Sequence, residues 1–282
     1  MQRVKSALLG LVFMTAASST YADWRFGAET GTLYESNLSN SDRASDVESD
    51  WAWQGEARAF NGFQLARDLR LNFGADFRGV AWSQYDAFDR IGAGISTNLR
   101  YRFGLGRLAP WLLLDERIGY DHFQQSAQSR WDETAALHGG IFLNDRVALE
   151  AGYTFENLAS PGDFFDRQGH RLDAAMIFDL TSSLQVKVGY SYRNGGVISY
   201  AIPPRPDIFR IATVRVGDTA FGSYPLYNAY RFRAETHAAA VTVGYTLTKY
   251  LSAQAGYEYS VTVHDPLSYE NHRFEAKIVF AY

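Results

Sequence analysis

The side chains of this sequence that can do chemistry recur two residues apart. Asp76-x-Arg78, Arg100-x-Arg102, Asp115-x-Arg117, Arg171-x-Asp173 and Arg273-x-Glu275-x-Lys277 all follow this spacing. A period of two places each set on one face of an extended strand. Carboxylates and guanidiniums on a shared face neutralise one another as ion pairs. A guanidinium left over can grip a carboxylate or phosphate in its planar fork. The histidines point nowhere comparable. His122, His138, His170, His237, His264 and His272 fall in no Ser/His/Asn or paired Asp/His motif. A hydrolase needs a nucleophile, a base and an orienting group within reach. Zinc needs ligands at close spacing. The sequence therefore predicts no enzyme, no metal and no cofactor. His138, in Leu137-His138-Gly139-Gly140, is expected to be an inward hydrogen-bonding group.

These charges ride on long alternating runs. Ile91, Ala93, Ile95, Thr97, Leu99, Tyr101 and Phe103 alternate with Arg90, Gly92, Gly94, Ser96, Asn98, Arg100 and Arg102. Leu184 to Arg193 and Arg273 to Tyr282 repeat the pattern. The strands of a soluble sandwich are about five or six residues long. These runs are roughly twice that, and a tilted strand crosses hydrocarbon in about 9 to 11 residues. Twelve strands are predicted, at about 23–36, 49–61, 68–82, 90–103, 109–123, 130–143, 146–157, 167–180, 184–196, 230–247, 249–263 and 269–282. Tight even-numbered connectors, such as Asn144-Asp145 and Thr181-Ser182-Ser183, alternate with longer odd ones. The predicted fold is all-β: a transmembrane antiparallel up-and-down barrel of about 12 strands, with short periplasmic turns and longer extracellular loops.

Composition agrees with export. Met1 to Ser6 is basic, Ala7 to Ala17 is apolar, and Thr20-x-Ala22 is small. This order predicts a cleaved signal peptide over residues 1–22, with a barrel over 23–282. Cleavage removes Arg3 and Lys5 from 27 basic residues, leaving 25 against 31 acidic. That balance argues against nucleic acid as a partner. With no cysteine, stability must come from the closed hydrogen-bonded wall. Aromatic residues form 15% of the chain. They are expected as girdles at the two headgroup levels. Trp51, Trp53, Tyr120, Trp131, Tyr153, Phe155, Tyr190, Tyr192, Tyr257 and Tyr259 belong to the outer girdle. Tyr101, Phe103, Trp111, Phe142, Phe178, Tyr250 and Tyr282 belong to the inner one.

Charge on the lipid side would cost up to a few kcal/mol per residue, so the charged face is expected to line the lumen. The candidate lining is Arg58, Arg70, Asp76, Arg78, Arg100, Arg102, Asp115, Arg117, Asp132, Glu150, Arg171, Asp173, Lys187, Arg193, Glu258, Arg273, Glu275 and Lys277. A water-filled channel for passive diffusion of small polar or charged solutes is the expected role. The alternatives are a non-conducting structural or surface-assembly barrel, its lumen filled by salt bridges, or an outer-membrane lipid-modifying enzyme. The segment 197–229 carries four of seven prolines with many apolar residues. It is expected to fold into or over the barrel mouth. Two places break the pattern. Glu116 has the parity of Leu114 and Ile118, so a bulge or a partner subunit must account for it. Arg231, Arg233 and Glu235 share parity with Val241 and Val243, so the strand there either projects above the membrane or contains a bulge.

The last strand, Phe274-Glu275-Ala276-Lys277-Ile278-Val279-Phe280-Ala281-Tyr282, resembles the terminal signal of Gram-negative outer-membrane barrels. The resemblance implies that the barrel-assembly machinery reads Phe274, Ile278, Phe280 and Tyr282. It also implies outer-membrane lipid and lipopolysaccharide as surroundings. Gly31 to Ser39 resembles the opening strand of porin-like barrels. With His264 to Tyr269 it is similar, over about 30 residues, to the barrel of surface lipoprotein assembly modifiers. The helical-repeat domain expected before such a barrel is not among these residues, so that function is not carried over.

Overall fold

The computed structural model describes residues 24–104 and 106–282. The predicted signal peptide lies outside the described residues. Thirteen strands follow in chain order: β1 (Trp24–Glu35), β2 (Asp50–Ala66), β3 (Leu69–Trp82), β4 (Arg90–Arg102), β5 (Trp111–Phe123), β6 (Arg130–Phe142), β7 (Val147–Ala159), β8 (Arg167–Asp179), β9 (Leu184–Ala201), β10 (Thr213–Asp218), β11 (Tyr227–Thr246), β12 (Leu251–His264) and β13 (Leu267–Ala281). All but β10 form one antiparallel wall, in which β9 pairs directly with β11 and β13 pairs with β1. The result is a closed barrel of 12 strands. Closure satisfies every edge, which the bilayer interior demands.

The outer wall carries the large apolar side chains. Ile95 is 66% exposed and Leu172 55% exposed, both far from any strand end. A continuous apolar belt of this kind marks contact with something other than water. No helix among the described residues is long and apolar enough to cross a membrane, which says nothing about crossing by strands.

The predicted strands are present with their ends shifted. β2 runs through Ala66, so the turn predicted at Phe63–Arg67 shrinks to Arg67 and Asp68. β9 and β11 are longer than predicted. They rise as a ribbon beyond the barrel rim, pairing Tyr200 with Ala229 and Ala201 with Asn228. The connector predicted at 197–229 is therefore only 202–226. It is not structureless: it holds a turn of helix, α1 (Pro206–Phe209), and β10, which pairs with β11 above the top of β12.

Both anomalies have simple solutions. The β9–β11 and β11–β12 registers are unbroken, so Arg231, Arg233 and Glu235 lie on the projecting end of β11, and no bulge is present. Nor is there a bulge at Glu116, which pairs with Thr97 and Ala135 in regular register and is exposed on the outer wall. Two girdle assignments are corrected. Trp111 shares the parity of Asp115 and Arg117, and Phe142 that of Asp132, so both face the lumen. Their aromatic character suggested a headgroup position, but parity within the strand decides the face.

Candidate functional site

The concave wall brings the charged side chains together in three groups. The first spans β3 to β6. Arg117 Nε and Nη2 donate to Asp76 Oδ1 and Oδ2 at 2.9 and 2.6 Å, and its Nη1 donates to Asp132 Oδ2 at 2.7 Å. Arg78 Nε and Nη2 donate to Asp121 Oδ1 and Oδ2, each at 3.0 Å, and Nη2 also reaches Asp132. The Arg117–Asp76 and Arg78–Asp121 bonds jump over β4, which the concave side of a curved sheet allows. Small residues make room for them. A Cβ at Gly94 would lie 2.7 Å from Arg117 Cζ, and one at Gly119 would lie 2.8 Å from Arg117 Nη1. Two parallel bonds between a guanidinium and a carboxylate fix both planes, so this wall is stiff.

The second group sits where the barrel closes. Lys277 Nζ lies 3.2 Å from Glu29 and 3.3 Å from Glu275, and Arg58 lies 3.5 Å from Glu29. Gln54 Nε2 donates to Glu275 at 2.7 Å, and Arg273 lies 3.9 Å from Glu275. The third group, on β7 to β9, is looser. Lys187 pairs with Glu150 at 3.0 Å, Arg193 with Glu156 at 3.3 Å, and Arg171 with Asp173 at 3.8 Å. The other predicted lining residues are separate from these groups. Arg70 donates to Asn72 at 3.0 Å, Arg100 lies over Trp111 at 4.9 Å, and Arg102 is exposed near the short-turn end. Asp115 and Glu258 border lumen cavities of about 420 and 360 Å³ respectively. His138 and Glu150 line the second of these.

The outer mouth is covered by an aromatic cap. Phe221, from the 202–226 connector, lies 4.8 Å from Tyr85, 5.1 Å from Phe88, 5.2 Å from Tyr200 and 5.2 Å from Tyr227, ring centre to ring centre. Leu38, Ala127, Phe164 and Phe165 from three further loops join the same cluster. Five loops thus meet around one ring. Polar ties hold the cap down. Arg205, whose side chain is fully buried, donates through Nη1 and Nη2 to Asp42 at 2.8 and 3.0 Å, and through Nη2 to Asp207 at 2.8 Å. The hydrogen bonds from Arg205 lower the pKa of Asp207 to about 2. Glu48 accepts from Tyr227 at 2.6 Å and from Tyr85, and burial, with this bond, raises the Tyr85 pKa.

Sequence parity missed Glu156, although it shares the inward parity of Glu150. It also missed the individual cap residues, since a loop has no period to read. The apolar content of the connector was its only signal. Phe274, Ile278, Phe280 and Tyr282 all lie on the outer face of the closing strand β13 or just past its end. Among the described residues no group of three or more side chains is arranged to hold a metal ion.

A closed antiparallel barrel with an apolar outside, a charged inside and long loops at one end has the fold of Gram-negative outer-membrane barrels. The chain is similar to solved outer-membrane structures. An outer membrane channel from Pseudomonas putida F1 superposes with a TM-score of 0.61, covering 95% of this chain and 100% of that one at 14% identity. The DcaP outer membrane channel of Acinetobacter baumannii has a TM-score of 0.47, 7% identity and coverage of 93% and 97%. The β domain of the Bordetella autotransporter BrkA has 0.46, 13% identity and coverage of 91% and 98%. At 14% identity the first of these shows the fold alone. No protein-family model matches the chain, and no curated protein matches it.

Proposed function

We propose that the protein is an outer-membrane channel for passive diffusion of small polar or charged solutes, with the aromatic cap controlling its outer mouth. The observation that carries this reading is the lumen wall. Its ion pairs run from strand to strand across the concave face, and cavities of about 360 and 420 Å³, lined in part by charged side chains, remain beside them. A barrel of 12 strands is wider than the eight whose side chains fill the interior. The outer face contacts lipid and lipopolysaccharide, and β13 serves the barrel-assembly machinery. Neither role involves an enzyme.

One observation favours the second reading, a non-conducting structural barrel: the rings around Phe221 close the mouth. Planar-bilayer conductance of the refolded protein separates the two. The channel reading expects small or intermittent conductance from the intact protein and larger, steadier conductance when residues 203–225 are replaced by a short Gly-Ser linker. A folded barrel that conducts in neither form overturns it.

A further inference from the structure

Two arginines at the outer end of the lumen form no ion pair among the described residues. Arg130 opens β6 and Arg167 opens β8, and both have inward parity. The other arginines near them are paired. Arg78 shares Asp121 with Arg90, Arg117 holds Asp76 and Asp132, and Arg193 holds Glu156. The Nε atoms of Arg130 and Arg167 are buried and have no hydrogen-bond partner among the described residues. Arg167 is among the charged groups around Arg130, across β7 on the same inward face. Arg130 also faces Arg90, Asp121 and Asp132, and Arg167 faces Arg193, Arg90 and Glu156. Tyr200, which belongs to the cap, adjoins both arginines and Asp218.

Neither side chain is loose. The Arg130 guanidinium lies over the ring of Phe123, 4.8 Å from its centre, and Arg90 lies 5.6 Å from the same ring. Phe123 is itself buried. The stem of Arg167 runs past Gly196, where a Cβ would be 3.2 Å from its Cβ and Cγ. Holding like charges together, with donors unused, is costly in a protein interior. An oxyanion between them removes both costs, because a guanidinium edge matches a carboxylate or phosphate.

We propose that Arg130 and Arg167 form an oxyanion-binding site beneath the cap, which takes the carboxylate or phosphate group of an entering solute. The words "entering solute" rest on the channel reading; the site itself does not. The whole protein, refolded in an amine-oxide detergent, would be titrated with inorganic phosphate, with glucuronate and with neutral glucose, in chloride buffer. Calorimetry and the thermal unfolding midpoint are the readouts. Saturable binding of either anion, and none of glucose, is expected, and the preferred anion distinguishes phosphate from carboxylate. Arg130→Gln and Arg167→Gln should each weaken binding about tenfold or more, the effect of losing a charged hydrogen bond. Heat-modifiable gel migration shows that each variant is folded, and Glu116→Gln, on the outer wall and outside the lumen, should bind like the wild type. Absence of saturable binding, or equal affinities in folded wild type and arginine variants, overturns the site. Binding without conductance overturns the channel reading and leaves the site standing, and conductance without binding does the reverse.

Discussion

Asp76 and Arg117 offer a clean measurement of how the lumen wall holds together. Asp76 takes two bonds from Arg117, at 2.9 and 2.6 Å, and has no other hydrogen-bond partner among the described residues. Its side chain is 10% exposed, and that of Arg117 is 17% exposed. A hydrogen bond to a charged group contributes about 1.5–3 kcal/mol. Lumen water and the remaining partner of Arg117 keep the effect toward the lower end. Asp76→Asn should therefore cost about 2 kcal/mol. Arg117→Gln should cost more, about 3 kcal/mol, because it strands Asp76 and leaves Asp132 with Arg78 alone. The double variant should recover about 2 kcal/mol of the summed loss as coupling. Urea unfolding in bilayers, followed by tryptophan fluorescence after reversibility is established, measures all four corners of the cycle. Molar salt should barely change the coupling, since an enclosed pair is poorly screened. A coupling below about 0.5 kcal/mol, the level of an exposed pair, would refute the enclosed network.

Other outcomes follow from the same geometry. Gly119→Val should push Arg117 off its partners and lower stability by about 1–3 kcal/mol, read from the urea midpoint; an unchanged midpoint means that the close packing is wrong. Glu116→Leu should raise stability by about 1 kcal/mol in bilayers, because it removes a carboxylate from the lipid face. A loss there would show instead that Glu116 has a partner. The Asp207 carboxyl is held at about 2, below its ordinary 3.8. Its contribution to the cap is then fully present above about pH 4 and is lost as pH falls through 2. Pepsin should nick the 203–225 connector much faster at pH 2 than at pH 4, and Asp207→Asn should bring fast nicking up to pH 4. Equal cutting of both proteins at both pH values would dismiss the latch.

Local pattern alone settled the barrel class and the number of wall strands. Arg78, Arg117, Asp132 and Lys277 could be placed in the lumen because parity in a strand is a strict geometric rule. The same rule, applied too loosely to aromatic type, put Trp111 and Phe142 on the wrong face. What only the tertiary structure decided is who meets whom. Arg78 reaches Asp121 across β4, and Phe221 is surrounded by rings from loops scattered from Tyr85 to Tyr227. Such partners are fixed by the curvature of the closed wall and by loop paths that have no period. That the buried Nε atoms of Arg130 and Arg167 have no hydrogen-bond partner among the described residues is likewise invisible in the sequence, because a missing partner becomes apparent only once the neighbours have been placed.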